Sequence, residues 1–285
     1  LTRDGGDSWQ DVTPRRLPEW AMINSIDVDP FNEGGVYVAA TRYKMDDFRP
    51  MLYYSADWGT SWTSLSDGLP EDHFTRVLRA DPVQPGLLYA GTERGLYHSR
   101  DNGDSWSPLQ LNLPIVPITD LQVKGDDLIA ATQGRGFWIL DDLDVLRAQA
   151  RDGAPTGPAL YVPDAVHRLL AGGRDDDAVN AGTNPQPGAS LFYYLPPDRE
   201  EDAEIELAIY RGGEDEPIWT WTAMAEDAAA SDDEEGGTAV LAREPGLHRH
   251  VWDLAYPGME RFDGLILWSD MKTGPMAVPG AYRAT

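Results

Sequence analysis

The sequence predicts an all-β protein, and three observations carry that prediction. Its 285 residues include 10 Trp, 12 Tyr and 28 Gly. Its apolar residues fall in many short runs punctuated by Gly, Pro, Asn and Asp, the pattern of strands joined by turns. An octapeptide is written three times: TRDGGDSW at 2–9, SADWGTSW at 55–62 and SRDNGDSW at 99–106. Two other series keep step with it, Leu17-Pro18, Leu69-Pro70 and Leu113-Pro114, and Asp29-Pro30 with Asp81-Pro82. The octapeptide tryptophans lie 53 and 44 residues apart. A repeat of ~40–50 residues is the length of a four-stranded propeller blade.

Each unit yields its strands in the same order. INSIDVD (23–29), TRVLRAD (75–81) and ITDLQVK (118–124) come first. GVYVAAT (35–41), GLLYAGT (86–92) and DLIAATQ (127–133) come second, and MLYYSAD (51–57), GLYHSRD (95–101) and GFWILDD (136–142) third. SWTSL (61–65) and SWSPL (105–109) come fourth. All are rich in β-branched and aromatic residues, which suit a pleated, half-buried surface. The unit at 115–142 has no fourth strand and runs instead into LDVLRAQA, a short helix. The first unit begins at the end of a third strand and supplies a fourth, SWQDV. Residues 1–142 are therefore expected to be the C-terminal arc of a larger β-propeller ring. Its remaining blades would come from a missing N-terminal segment or another chain, since a stacked blade needs a neighbour to bury its face.

The octapeptide falls on the turn between the third and fourth strands, and its chemistry is that of a folding device. Asp4, Asp57 and Asp101 are placed to accept backbone N–H groups of their own turns. Gly6, Gly59 and Gly103 can take a positive φ. Trp9, Trp62 and Trp106 offer a large ring for burial and an N–H to satisfy. The pattern resembles the Asp box, or BNR repeat, of sialidases, sortilin-type receptors and several glycoside hydrolases. The resemblance implies a structural role on the propeller rim, remote from any active centre. GRGFWILDD (134–142) keeps the third strand without the Gly and Trp. ATQGRGFWILDDLDVLR (131–147), PGLHRHVWDLAYPG (245–258) and GPMAVPGAYRAT (274–285) resemble large bacterial sortilin-like BNR-repeat proteins often labelled glycosyl hydrolase. That likeness implies an exported protein, extracellular or periplasmic, with a β-sandwich after the propeller.

The second half reads as that sandwich. After a linker at 143–158, strand-like runs occur at 159–162, 167–170, 190–195, 204–210, 218–222, 248–254, 264–268 and 280–284. Seven or eight short strands over 159–285 predict an immunoglobulin-like β-sandwich, and the ending PGAYRA resembles the last strand of FlgD-type domains. Two polar loops, 172–188 and 225–237, separate strands. The second is a run of acids lacking the regular Asp and Gly offsets of a calcium loop.

Charge and composition exclude several functions. The formal net charge is −25, which repels nucleic acid and anionic membranes. No apolar run approaches the ~20 residues of a membrane span. Without cysteine there is no disulfide, thiolate catalysis or Cys-based zinc site, and the five histidines give no ligand set, so neither metal nor cofactor is expected. Glycosidase chemistry needs two carboxylates across a cleft, and 48 acids select no pair. The turn between strands two and three lies opposite the octapeptides and carries Arg42, Arg94 and Arg135, one per blade. Three guanidinium groups on one face can hold a carboxylate or sulfate, or can each pair with acids such as Asp46, Asp47 and Glu93. In the first of these turns, RYKMDDFRP (42–50), Tyr43 and Phe48 offer rings for a sugar or a protein partner. The sequence thus predicts a non-catalytic binding or scaffold protein with a glycan or protein ligand. The alternative is a polysaccharide-cleaving glycoside hydrolase with its cleft on this face.

Overall fold

A computed structural model describes residues 1–168, 186–200, 203–223, 241–258 and 274–285. The chain divides into two compact units, Leu1–Ala154 and Pro155–Thr285. The expected strand at 264–268 and the acidic loop at 225–237 lie outside the described residues, as does most of the loop at 172–188. Residues 167–168 of the expected strand at 167–170 lie in no strand, and 169–170 lie outside the described residues.

The first unit holds three antiparallel sheets in chain order. β1 (Met22–Val28), β2 (Val36–Arg42), β3 (Asp47–Ser55) and β4 (Thr63–Ser64) form a four-stranded meander. β5 (Thr75–Ala80), β6 (Leu88–Thr92), β7 (Gly95–Ser99) and β8 (Ser107–Pro108) repeat it. β9 (Ile118–Lys124), β10 (Asp127–Thr132) and β11 (Phe137–Leu140) make a third sheet with no fourth strand among the described residues. The strand expected at 51–57 begins earlier, at Asp47. Asp46 takes a left-handed conformation, φ 58°, which folds RYKM into one tight 3-10 turn and releases the rest of the presumed loop into β3.

The sheets stack through shared apolar cores, which makes them blades. Tyr37, Leu52 and Leu65 of the first sheet pack with Leu78, Leu88 and Trp106 of the second. Val77, Tyr89 and Leu109 of the second pack with Ile118, Leu121 and Leu128 of the third. The first strands of successive sheets are stitched by side chains that satisfy backbone groups. Ser25 Oγ accepts from Leu78 N–H at 3.1 Å, and Asp27 accepts from Ala80 N–H at 3.0 Å. Arg79 Nε donates to the Leu121 carbonyl at 2.9 Å. Central strands are buried on both faces, and β6 needs Gly91: a Cβ there would lie 2.5 Å from Val77 and 2.7 Å from Ile118.

The three octapeptides fold into one turn. In each, the first hydroxyl (Thr2, Ser55, Ser99) donates to the Asp at 2.7–2.9 Å and accepts the N–H of the Gly at 2.8–2.9 Å. The Asp in turn accepts the N–H and hydroxyl of Ser8, Ser61 or Ser105. These bonds hold the Asp carboxyls below the ordinary carboxylate pKa. For Asp4 the Ser8 hydroxyl leads, for Asp57 the Ser61 N–H, and for Asp101 partial burial opposes the shift but the Ser105 bonds outweigh it. Two of the turns also grip the preceding fourth-strand position. Trp62 Nε1 donates to the Val12 carbonyl and Trp106 Nε1 to the Leu65 carbonyl, each at 2.8 Å. Gly59 and Gly103 lie so close to the same two residues that a Cβ would sit 2.6 Å from Val12 and 3.1 Å from Leu65.

The segment expected to be a linker is partly a packed helix, α1 (Asp144–Asp152), counted within the first unit. Leu143 is fully buried in the core shared by the second and third sheets. Arg147, 5% exposed, reaches the fully buried Asp81 at 3.1 Å. Amphipathic spacing alone did not reveal this anchor, because a buried Arg looks like a solvated one in sequence.

In the second unit, β12 (Ala159–Leu160), β13 (Ala189–Leu195) and β16 (Gly246–Trp252) form one antiparallel sheet. β15 (Pro217–Ala223), β14 (Ile205–Arg211) and β17 (Tyr282–Ala284) form another. Alternating residues of β13, β14 and β15, among them Leu191, Leu207, Ile209 and Trp221, meet Trp252 in one core. The period-two pattern of EIELAIY therefore does place Leu207 and Ile209 inward.

Candidate ligand-binding face

The end of the blades opposite the octapeptides gathers the β2–β3 turn, the segment entering β5, and the β6–β7 turn. Tyr43 lies flat on Phe74, with ring centroids 4.9 Å apart and an interplanar angle of 12°. Phe48, 46% exposed, leans on the same ring at 6.1 Å. Phe74 is itself buried, so one blade roots the aromatic pair offered by another. The Arg76 guanidinium stands 5.3 Å from the Phe74 centroid and 5.9 Å from that of Tyr43, within cation–π range. Its Nη2 lies 2.6 Å from Glu93.

The arginines are individually anchored. Arg42 Nε donates to the Glu19 carbonyl at 2.9 Å, and its Nη1 lies 3.5 Å from Asp47. Arg49 forks onto both oxygens of Asp47 at 2.9 and 2.8 Å. That fork, with a smaller contribution from Arg42, lowers the Asp47 carboxyl to about 2. Arg94 lies 3.3 Å from Asp72 with its side chain more than half exposed. Arg135 is exposed on the β10–β11 turn, where its N–H donates to Thr132 Oγ1 and its carbonyl accepts from Trp138 Nε1.

The structure thus brings Tyr43 and Phe48 together, and sets Arg42 beside Asp47. It shows no contact joining Arg94 or Arg135 to that cluster among the described residues. One anticipated acid changes partner. Arg42 does take Asp47, one of the anticipated acids, whereas Glu93 takes Arg76 and its neighbour Arg94 takes Asp72. Sequence reasoning missed Phe74 and Arg76. A usable signal existed, because residues just before a blade's first strand share the end that carries the turn between its second and third strands. The histidines lie elsewhere or serve packing: His73 Nδ1 meets the Tyr97 hydroxyl at 2.8 Å, and His250 packs edge-on to Trp221 at 4.5 Å.

Strand order and stacking define the class of the chain: it is an all-β protein whose first unit is an arc of propeller blades. No family model matches the sequence, and no curated protein matches it. Similar solved structures include "YCF48 bound to D1 peptide", at 22% identity and TM-score 0.35 over 49% of this chain and 43% of that one. YCF48 from Cyanidioschyzon merolae is 16% identical with a TM-score of 0.33, covering 68% of this chain and 58% of that one. The GH74 enzyme of Niastella koreensis is 14% identical with a TM-score of 0.34, covering 61% and 26%. These likenesses are loose, and the chain spans less than two thirds of each of those chains.

Proposed function

We propose that the chain is a non-catalytic binding or scaffold module whose blade face takes an anionic protein segment or glycan. The observation that carries this reading is the Tyr43–Phe48 platform rooted on Phe74 and flanked by Arg42, Arg49 and Arg76. Exposed rings give stacking area, and guanidinium groups fixed in place by carboxylates or carbonyls still have N–H donors beyond those bonds to offer a carboxylate or sulfate. On the same reading the protein is exported, the arc is completed by blades from elsewhere, and the second unit is immunoglobulin-like. Glycoside hydrolysis is the second reading, since Asp47, Asp72 and Glu93 share the face with the rings. A hydrolase needs one carboxyl to hold a proton, whereas all three lie within ion-pair distance of an arginine and Asp47 is driven strongly toward its anion. The test is an array of uronic-acid and sulfated glycans and acidic peptides, with reducing-sugar release measured in parallel. Retention without release, lost in the combined Arg42→Ala, Arg49→Ala, Arg76→Ala chain, supports binding. Sugar release by the unaltered chain supports the hydrolase and overturns it.

A further inference from the structure

We infer that Trp20 is a ligand contact of this face, an indole held out to stack on a pyranose ring, and that it selects an anionic glycan chain over an acidic peptide. The inference rests on the binding reading above and narrows its ligand class. Trp20 stands two residues before β1, whose first residue, Met22, pairs with Thr41 at the end of β2. It therefore shares the blade end that carries the β2–β3 turn, and it is 80% exposed there.

The turn that presents Trp20 suits a bulky residue badly. The Ala21 N–H donates to the Pro18 carbonyl at 3.2 Å, which makes Trp20 the third residue of a tight turn, with φ 66°. Glycine takes that conformation freely; a Trp there is an outlier, and the surrounding structure must hold the strain. Arg42 supplies the hold. Its Nε donates at 2.9 Å to the Glu19 carbonyl, which belongs to the peptide group leading into Trp20. Arg42 also lies 3.5 Å from Asp47, whose two oxygens are forked by Arg49. Phe48 sits between Asp47 and Arg49 in the chain, so one series of polar contacts ties the backbone beside Trp20 to the backbone beside Phe48.

The second blade provides an internal comparison. Leu17-Pro18 to Asp29 and Leu69-Pro70 to Asp81 keep an offset of 52, which sets Trp20 against Asp72. Strand pairing carries the same offset through β2 and β6, where Ala39 faces Ser25 and Gly91 faces Val77, and this sets Arg42 against Arg94. The same turn closes in both blades, with the His73 N–H donating to the Pro70 carbonyl at 3.1 Å. In the second blade Asp72 answers Arg94 at 3.3 Å, and its φ is not positive. In the first blade an indole stands in the place of that acid, and Arg42 takes a backbone carbonyl. The Asp72 side chain is 62% exposed although the first blade packs beside its sheet, so exposure at this position persists when a preceding blade is in place. Exchanging the acid for an indole removes a charge that repels anions and adds a flat apolar surface, which suits a sugar ring bearing a carboxylate or sulfate. Peptides that dock on sheets pair with a free strand edge, whereas this face meets β2, β3, β6 and β7 at their turns.

The test begins with the array described above. Titration calorimetry of the full chain follows, with the uronic-acid or sulfated oligosaccharide retained best and with an octaglutamate peptide. Trp20→Gly removes the ring and suits the turn, so the Tm should hold while glycan affinity falls about tenfold or more. Trp20→Asp, also tolerant of a positive φ, restores the second blade's acid beside Arg42 and should weaken the glycan at least as much. Trp58→Gly is the matched control. Trp58 is exposed with φ 60° but lies in an octapeptide at the other end of the blades, so its loss should leave affinity unchanged. Unchanged affinity in Trp20→Gly and Trp20→Asp, an equal loss in Trp58→Gly, or retention of octaglutamate without any glycan would each overturn the inference and leave anion binding by the face standing. An array that retains nothing removes the binding reading and this inference with it.

Discussion

Replacing Arg147 with Met tests whether α1 is clamped to the blades. The guanidinium lies 3.2 and 3.1 Å from the two oxygens of Asp81, 2.5 Å from Asp126 and 2.9 Å from the Gly125 carbonyl. Asp81 is fully buried and also accepts N–H groups of Val83 and Gln84 and the hydroxyl of Tyr89. Removing one partner of a buried pair costs about 3–5 kcal/mol, because the other charge is stranded away from water. The remaining donors to Asp81 place the expected loss near the lower end, about 3 kcal/mol. At roughly 2–4 °C per kcal/mol for a unit of this size, the first unit's Tm should fall by about 6–12 °C. Calorimetry or thermal circular dichroism reads this directly. Arg151→Met on the same helix removes only an exposed pair with Asp152 and should leave the Tm unchanged within error. Arg147→Met with Asp81→Asn should recover part of the loss, since the stranded charge is gone. If Arg147→Met leaves the transition where it was, the clamp does not hold the helix.

Three other perturbations have defined outcomes. Gly91→Val drives a side chain into Val77 and Ile118, and overpacking of this kind should lower the urea midpoint by an amount equivalent to about 1–3 kcal/mol. His98 and His250 are buried, which holds both below the ordinary histidine value, with Arg100 adding to the effect at His98. The unfolded chain then binds protons first, so this contribution is complete above ~6.5 and declines as pH falls below it; His98→Phe or His250→Phe should flatten Tm against pH there. The octapeptide aspartates have the same sign relation in a more acidic window: their folded values lie below the unfolded one, so their contribution is present above ~3.9 and is lost as pH drops toward the folded values. Asp101→Asn should reduce the acid-limb slope, measured by fluorescence on titration from neutral pH.

Much of the first unit was legible because its signals repeat. Blade order, the absent fourth strand and the octapeptide turn all follow from local chemistry that recurs at Trp9, Trp62 and Trp106. What escaped the sequence depends on contacts across blades. Arg147 reads as a solvated helix residue until Asp81 is placed beside it, and the β2–β3 turn reads as a long loop until Asp46 adopts a positive φ. The same limit applies to the candidate face. Arg42, Arg94 and Arg135 were found by their equivalent positions, but Phe74 and Arg76 become visible only when the second blade is packed against the first. In the second unit, the alternation of Ile205, Leu207 and Ile209 in EIELAIY (204–210) gave the inward face of that strand.

The most direct test of the account separates the two ends of the blades. Binding to the glycan and peptide array should be compared for the unaltered chain, for Tyr43→Ala with Arg76→Ala, and for Asp57→Ala, each confirmed as folded. The account predicts that the first pair of substitutions removes binding while Asp57→Ala retains it, because the octapeptide shapes the blade and the opposite face meets the ligand. Binding lost with Asp57→Ala and kept with Tyr43→Ala and Arg76→Ala would contradict it.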